Sequence, residues 1–539
     1  MLKFEKYIFY SLVLLALSII LIPKYYITGD GPSHTYNAKV LFDLINQEHR
    51  EFYDFFYKIN RQLIDPNWTS HLLIGFFSRF VPHWMADKLF QLIYVLTFCF
   101  GFRYLIRSIQ KENSFFSVLF FPFLFTIAFQ QGFYNYVLGI ALLFWSVGYY
   151  IRLRQDLSNP IQQFILCALV LSVTLAHGMA SVYTMMLIGV LWLFNNIKEF
   201  SPARFHSIVA DFSRLLIVFI PSVILVILFM VKRGLSSTPH HKTYGQKFID
   251  FICMNTSQST SDMEVIPAVL CLLLILSYTL LIFFQKKSGR QLHSYEKPKR
   301  PMLPIVFLVF IAFTFFSYIT SPGTISATGS IEIRIAFLPP LFLLLFLATK
   351  RWTKPSKIFF IMASCVFSVF FLVLRFPRVL AANTVAKEIM TGADYIKDES
   401  VVLNLHYDDK QVTKNGDSIF QRDNSFIHFT DFYGALADKH LIMLLNYEAD
   451  KNYFPVNWKE GKSPRKFMRK MYSGQYPPCG SFGKYETYLD KKIDYVLLQN
   501  WRDDFLKLKC TRDLFNEMQA AGFTKKYESP NKYIVVWGR

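Results

Sequence analysis

The sequence predicts a polytopic α-helical membrane protein that carries a small α/β domain at its C-terminus. Hydrophobic residues make up 53% of the 539-residue chain, which includes 57 Phe. Residues 1–375 contain only 17 of the 38 acidic residues, although they form most of the length. Soluble globular proteins do not have this composition. We therefore assign residues 1–375 to a transmembrane domain and residues 376–539 to a separate domain outside the cytoplasm.

Long apolar runs repeat through the first part of the chain. A helix needs about 20 predominantly apolar residues to cross the hydrocarbon core of a bilayer. About eleven segments meet this requirement, and they lie at residues 7–23, 86–107, 115–130, 134–151, 161–178, 180–197, 213–231, 264–285, 302–320, 335–349 and 357–374.

The orientation of these segments follows from the distribution of Lys and Arg, because short basic loops stay on the cytoplasmic side. Lys3 and Lys6 precede the first segment, and the densest basic clusters lie in residues 286–300 and 350–357. The connection at residues 232–262 also contains basic residues and fits the pattern less well. The pattern predicts a cytoplasmic N-terminus, and eleven crossings then place residues 376–539 outside. We expect a multi-pass protein of the plasma membrane, of the kind found in the bacterial inner membrane.

The predicted topology also explains the net charge of +20. Residues 376–539 contain 25 Lys and Arg and 21 Asp and Glu, which leaves +16 for the membrane part. In a soluble domain such an excess would suggest nucleic acid as a partner. Here most of the excess lies in loops that face anionic lipid head groups. The sequence therefore favours membrane lipids as partners and excludes nucleic acid.

The part of the chain after residue 375 has the pattern of a small α/β domain. Residues 382–396 have helical periodicity, and residues 401–405 and 495–498 are short apolar runs typical of buried strands. Residues 503–521 read as a helix, followed by a hairpin at residues 523–537. Cys479 and Cys510 share this domain, but their spacing alone leaves open whether they form a disulfide. The domain contains no nucleophile elbow, phosphate-binding loop or dinucleotide fingerprint, so we expect it to shape the substrate site or bind a partner.

The first outer loop, residues 24–85, is long and rich in acidic residues. It opens with Gly-Asp-Gly-Pro-Ser-His at residues 29–34, immediately after the first apolar segment. Residues 36–45 have helical spacing, and residues 72–81 are apolar but too short to span the bilayer. The loop is therefore predicted to be structured, with Asp30 and His34 held at the membrane surface.

These features together resemble the C-type glycosyltransferase superfamily, multi-pass enzymes that use polyprenyl-phosphate-linked sugars. The shared features are a first helix that enters from the cytoplasm, an acid at the start of the first outer loop, two interfacial helices in that loop, and an outer C-terminal domain. The resemblance implies a polyprenyl-phosphate-sugar donor, a lipid, glycan or protein acceptor, and a catalytic or metal-contacting role for Asp30. Many members have paired acids in this loop, whereas the next acid here is Asp43. A requirement for a divalent metal is therefore left open.

The residue types suit glycosyl transfer. Displacing a polyprenyl phosphate from a sugar requires a base for the acceptor's proton and a cation for the leaving phosphate. Asp30 is the candidate base, and His34 could orient it or bind phosphate. The alternative is that Asp30 only caps the helix that begins near Ser33.

Three places could supply the cation. Arg334 begins the tenth segment beside Pro339 and Pro340, and its planar guanidinium suits phosphate, although an interfacial anchor or a partner of Glu332 is the alternative. His177 ends the fifth segment on the same side, where a packing role is equally compatible. A basic loop with His240, His241 and Lys242 could close over a lipid phosphate, or it could simply be solvated.

A different class of function also fits the sequence. A lipid-linked oligosaccharide flippase, a transporter or a polysaccharide assembly or polymerase component would also be polytopic. Transporters usually show acids near the midplane or internal repeats, and neither is evident here. The discriminating feature is the position of the polar cavity, which should lie next to Asp30 in a transferase and at mid-depth in a carrier.

Overall fold

The structure is a computed structural model. The described residues are 4–60, 65–153, 157–197, 205–233, 237–238, 242–287, 302–322, 324–325, 330–407, 418–468, 478 and 480–539.

Within these residues, eight helices are long and apolar enough to cross a membrane. They span His83–Ile109, Tyr134–Arg152, Gly178–Asn196, Phe205–Lys232, Asp262–Ile282, Leu303–Thr320, Ile331–Ala348 and Lys354–Tyr395. A shorter apolar helix, Pro160–Ala176, and the N-terminal helix, Glu5–Leu21, each contain 17 residues. The predicted polytopic helical architecture is confirmed.

The predicted segment at residues 115–130 does not form a single helix. These residues fold instead into a 3-10 helix, Lys111–Val118, and two short helices, Phe121–Leu124 and Ile127–Gln130. Pro122 lies in the first turn of the first short helix, and Thr126 caps the second through a hydrogen bond from the backbone N–H of Phe129. Nearly all these side chains are buried inside the protein rather than facing lipid. The segment is apolar because it is core, a case that hydropathy alone does not distinguish from a membrane span.

The first outer loop contains three helices, Gly31–Asn46, Arg50–Phe56 and Thr69–Ser78. Gly31–Asn46, called the site helix below, begins two residues earlier than the sequence suggested. A short strand, Tyr57–Ile59, pairs antiparallel with Val456–Trp458 of the C-terminal region. The outer loop and the C-terminal region are thus joined by backbone hydrogen bonds.

The C-terminal region contains a mixed five-stranded sheet. Its strands lie in the order Leu441–Met443, Ser400–His406, Tyr495–Gln499, Ile534–Gly538 and Thr524–Glu528. The first three strands are parallel, and the last two form the antiparallel terminal hairpin. The helix Lys509–Ala520 precedes that hairpin. The predicted strands, helix and hairpin are all present.

The boundary predicted at residue 375 lies inside a continuous helix. Lys354–Met390 runs from the membrane part into the C-terminal region, and a 3-10 turn, Thr391–Tyr395, ends it. The C-terminal sheet shares one hydrophobic core with outer-loop residues such as Tyr36 and Tyr53. The outer loop and the C-terminal region therefore pack as one body above the transmembrane helices.

Cys510 is disulfide-bonded. Cys479, the cysteine that the sequence would pair with it, lies outside the described residues.

Candidate functional site

The loop that carries Asp30 is fixed by close backbone packing. The backbone N–H of Gly29 donates to the carbonyl of Gln130 at 2.9 Å, and that of Asp30 donates to Gln131 at 3.0 Å. A Cβ atom on Gly31 would lie 2.3 Å from Thr28 Oγ1 and 2.5 Å from the Tyr134 hydroxyl, so no larger residue fits there. The glycines on both sides of Asp30 therefore allow this loop to lie directly against the turn that follows residue 130.

Asp30 occupies the N-cap position of the site helix, but its carboxylate does not cap it. His428 Nε2 instead lies 3.9 Å from Oδ1 of the carboxylate, and Tyr447 lines the same cavity as Asp30. Burial raises the pKa of Asp30 to about 6, because the opposing effect of His34 only partly offsets it. Asp30 is therefore ionised at neutral pH and has a pKa suited to accepting a proton.

His34 lies one turn further along the site helix and is held at both ring nitrogens. Nδ1 lies 2.7 Å from Glu448 Oε1, and Nε2 lies 3.1 Å from the carbonyl oxygen of Gly132. Both partners are acceptors, so both nitrogens must carry protons and the ring is an imidazolium. Burial alone would lower the pKa of His34, but Glu448 outweighs burial and raises it to about 9.

Glu448 connects His34 to a second buried histidine. Its other oxygen lies 2.7 Å from His71 Nε2, and the side chains of Glu448 and His71 are fully buried. Burial lowers the pKa of His71, so this ring stays neutral and donates through Nε2. The result is a buried chain, His34–Glu448–His71, in which one positive and one negative charge are in direct contact. We call it the His–Glu–His chain.

Arg334 and His177 are in direct contact with each other. Arg334 Nη1 lies 3.3 Å from His177 Nε2, and the guanidinium stacks 3.9 Å from the centroid of the Phe133 ring. The Tyr136 hydroxyl donates to the backbone carbonyl of Arg334. Arg334 is 9% exposed, so little of its guanidinium meets solvent. A buried guanidinium of this kind offers a planar set of donors to an anion that enters the cavity.

These groups line one cavity with a volume of about 240 Å³. Asp30, His34, His177 and Arg334 all contribute to its wall. Residues 132–136, at the start of the helix Tyr134–Arg152, supply three aromatic rings to the lining. The C-terminal region completes the wall with Tyr447, Lys451, Tyr453 and Phe454.

The basic loop after residue 233 is less informative. His240 and His241 lie outside the described residues. Lys242 is exposed, forms an ion pair with Asp250 at 2.7 Å, and does not line the cavity. Among the described Lys and Arg side chains, Arg334 and Lys451 line the cavity and are therefore the candidates for contact with a phosphate.

The expectation that the C-terminal region shapes the site rested on no particular residue. No local pattern points to Tyr447 or Glu448, although Glu448 contacts His34 and Tyr447 lines the cavity. The same is true of His71, which lies in the helix Thr69–Ser78. No local pattern marks these residues, because their role depends on contacts between segments that are more than 370 residues apart.

Two groups of side chains within the described residues could hold a metal ion. One is the His–Glu–His chain, and the other consists of His49, Asp398 and His440. Asp30 belongs to neither group. In the His–Glu–His chain each imidazole already donates a hydrogen bond to Glu448, so the carboxylate is satisfied by those bonds.

Neither models of known protein families nor curated proteins match this chain. Among solved structures, it is similar in fold to two crystal structures of ArnT from Cupriavidus metallidurans. The apo structure has a TM-score of 0.51 at 9% identity and covers 98% of this chain and 97% of its own. The structure bound to undecaprenyl phosphate has a TM-score of 0.53 at 9% identity, with coverages of 100% and 98%. The fold implied by the sequence resemblance is thus confirmed.

Proposed function

We propose that this protein is a membrane glycosyltransferase that moves a sugar from a polyprenyl-phosphate-linked donor to an acceptor on the extracytoplasmic side. The observation that carries the proposal is that the Asp30 carboxylate and the buried Arg334 guanidinium line one cavity. Asp30 suits a general base, and Arg334 suits the phosphate of the donor.

The proposed reaction is a displacement at the anomeric carbon of the donor sugar. Asp30 takes the proton of the acceptor hydroxyl while the acceptor oxygen bonds to that carbon. The bond between the carbon and the phosphate oxygen breaks, and the polyprenyl phosphate leaves with the electron pair. Arg334, with Lys451 in the same wall, stabilises the negative charge that develops on the leaving phosphate.

His34 is better suited to positioning Asp30 than to binding phosphate. Both its ring nitrogens are already engaged, with Glu448 and with the carbonyl of Gly132. Its positive charge lowers the pKa of Asp30 and so opposes the effect of burial. Without that charge the base would be more extensively protonated at neutral pH.

The ArnT structure with undecaprenyl phosphate supports a polyprenyl phosphate as part of the donor, because the two chains align over nearly their whole length. The apolar helices support an integral membrane protein. We place the protein in the bacterial inner membrane, with the N-terminus in the cytoplasm and the cavity and C-terminal region outside. The acceptor stays open among lipid, glycan and protein.

The decisive test replaces Asp30 with Asn in the purified, reconstituted protein. Asp30→Asn keeps the size of the side chain but removes the basic carboxylate. Transfer from an undecaprenyl-phosphate-linked sugar should fall by about 10²- to 10⁴-fold, the usual loss for a general base. Asp54→Asn is the matched control, because Asp54 lies in the same outer loop but forms only surface ion pairs.

The same assay separates the transferase from a carrier. A flippase or transporter would move the lipid-linked sugar across a vesicle membrane without releasing polyprenyl phosphate. Asp30→Asn would then leave the bond to the phosphate unaffected, because the parent protein does not break it. Release of polyprenyl phosphate that depends on Asp30 supports the proposal, and transport without release contradicts it.

A further inference from the structure

A second cluster of histidines and carboxylates lies outside the cavity, where the outer loop meets the C-terminal region. It contains His49, Asp398 and His440, and one donor atom from each lies within 4.8 Å of the others. The imidazole rings of His49 and His440 are stacked, with centroids 3.4 Å apart and planes inclined by 17°. Two histidines from distant parts of the chain therefore meet face to face.

Each ring directs Nδ1 toward one of two consecutive carboxylates. His49 Nδ1 lies 2.6 Å from Glu399 Oε1, and His440 Nδ1 lies 3.0 Å from Asp398 Oδ1 and 3.2 Å from Oδ2. Two imidazole nitrogens and one Asp398 oxygen thus lie within 4.8 Å of one another, and Glu399 contacts His49 beside them. Two protonated imidazoles stacked at this distance would repel each other, whereas neutral imidazoles are the form that binds a metal.

The donor set indicates which kind of ion fits. Two imidazoles with one or two carboxylates are typical ligands of Zn²⁺, at about 2.0–2.2 Å in a tetrahedral arrangement. Mg²⁺ and Ca²⁺ prefer oxygen ligands and do not select paired imidazoles. The cluster is also accessible to an ion, because the side chains of His49 and Asp398 are 36% and 42% exposed. The nearby Lys39 forms an ion pair with Asp43, in which Nζ lies 2.9 Å from Oδ2.

We propose that His49, Asp398 and His440 form a zinc site, with Glu399 beside it, that clamps the outer loop to the C-terminal region. His49 follows the site helix by three residues, and His440 immediately precedes the strand Leu441–Met443. That strand leads directly toward Tyr447 and Glu448 in the cavity wall. An ion bound here fixes the two segments that supply the two halves of the cavity, and it does so without contacting the cavity.

The test measures zinc binding to the full-length protein in detergent after it has been stripped with a chelator. ZnCl₂ is titrated into the parent and into His49→Asn, Asp398→Asn and His440→Asn. His206→Asn is the matched control, because His206 is exposed on the helix Phe205–Arg233, outside this cluster. His71→Asn is included because the His–Glu–His chain could also take up zinc.

We expect one equivalent of zinc to bind the parent, the control and His71→Asn alike, with at least 10-fold weaker binding in the three cluster variants. Thermal unfolding gives an independent readout, because a ligand that binds only the folded state raises the midpoint as its free concentration exceeds Kd. In the presence of chelator the parent and His440→Asn should unfold at similar temperatures, which shows that the variant is folded. Added ZnCl₂ should then raise the midpoint of the parent only.

Two results would overturn the zinc site. The first is a parent protein that takes up no zinc at micromolar concentrations. The second is zinc binding that persists unchanged in the three cluster variants, or that disappears in His71→Asn while the cluster variants retain it. Neither result depends on a transfer assay, so the zinc site and the proposed glycosyl transfer can fail separately.

Discussion

Glu448→Gln tests whether the buried His–Glu–His chain carries a charge. In the parent, the two carboxylate oxygens of Glu448 accept protons from His34 Nδ1 and His71 Nε2, each at 2.7 Å. A Gln amide can still accept from His71 through its oxygen and donate to His34 Nδ1 through its nitrogen. The second bond forms only if His34 Nδ1 has lost its proton. The substitution therefore preserves the packing and both hydrogen bonds but converts His34 from an imidazolium to a neutral ring.

The expected loss of stability follows from the pKa of His34. Burial lowers this pKa, but Glu448 outweighs burial and raises it from the ordinary 6.5 to about 9. Each pKa unit corresponds to 1.36 kcal/mol, so the contribution is on the order of 3 kcal/mol. Because the pKa is higher in the folded than in the unfolded state, the contribution is complete below about pH 6.5. It is lost as the pH rises through about 9.

The assay is thermal unfolding of the purified protein in detergent between pH 6.5 and 10. The parent should lose stability as the pH rises, whereas Glu448→Gln should be less stable at pH 6.5 and change little over the same range. Glu460→Gln is the control for loss of a carboxylate in the same region, because Glu460 is exposed. If Glu448→Gln shows the same pH dependence as the parent, His34 is not the charged partner of Glu448 and the reasoning fails.

Three further predictions concern the cavity and the topology. Arg334→Lys should weaken donor binding and slow turnover, and Arg334→Ala should do so more strongly, because only a guanidinium can bind two phosphate oxygens in one plane. Donor-binding and transfer assays test this. Unchanged values in Arg334→Ala would mean that Arg334 is only an interfacial anchor. Because burial raises the pKa of Asp30 to about 6, kcat/KM should decline below about pH 6 as the base becomes protonated, and a profile that stays flat to pH 4.5 would contradict the assignment. Reporter fusions at residue 295 and at the C-terminus should report opposite sides of the membrane, and the same side for both would overturn the orientation.

The parts of the fold that the sequence predicted are those with a strong local signal. The apolar helices and the strands near residues 401–405 and 495–498 were found because hydrophobic periodicity depends only on neighbouring residues. Residues 115–130 were misread because a buried core segment is as apolar as a membrane span. The break was signalled only by Pro122 and by the N-cap Thr126, which is weak evidence in a run of Phe. The predicted domain boundary at residue 375 follows a change in hydropathy, whereas the helix Lys354–Met390 continues through that position.

Half of the candidate site was predictable in the same way. Asp30 stands out because Gly-Asp-Gly-Pro is unusual at the end of an apolar helix. In the structure, Gly31 lies so close to Tyr134 that no side chain would fit at that position. Arg334 and His177 stand out because charged and imidazole side chains are rare at the ends of apolar segments. Their contact at 3.3 Å could not be inferred, since 157 residues separate them.

The other half depends on how the C-terminal region folds back onto the outer loop. Asn37 and Asn446 exchange two hydrogen bonds, at 3.0 and 2.8 Å, and this pair seats Glu448 against His34 one helical turn away. Amide pairs of this kind have no sequence signature, because any Asn can form one once the backbone is in place. Glu448 sets the charge of His34, and the charge of His34 in turn lowers the pKa of Asp30. The C-terminal region therefore tunes the base as well as covering the cavity, and a variant that loosens its contact with the site helix should shift the pH profile of transfer even if Asp30 itself is untouched.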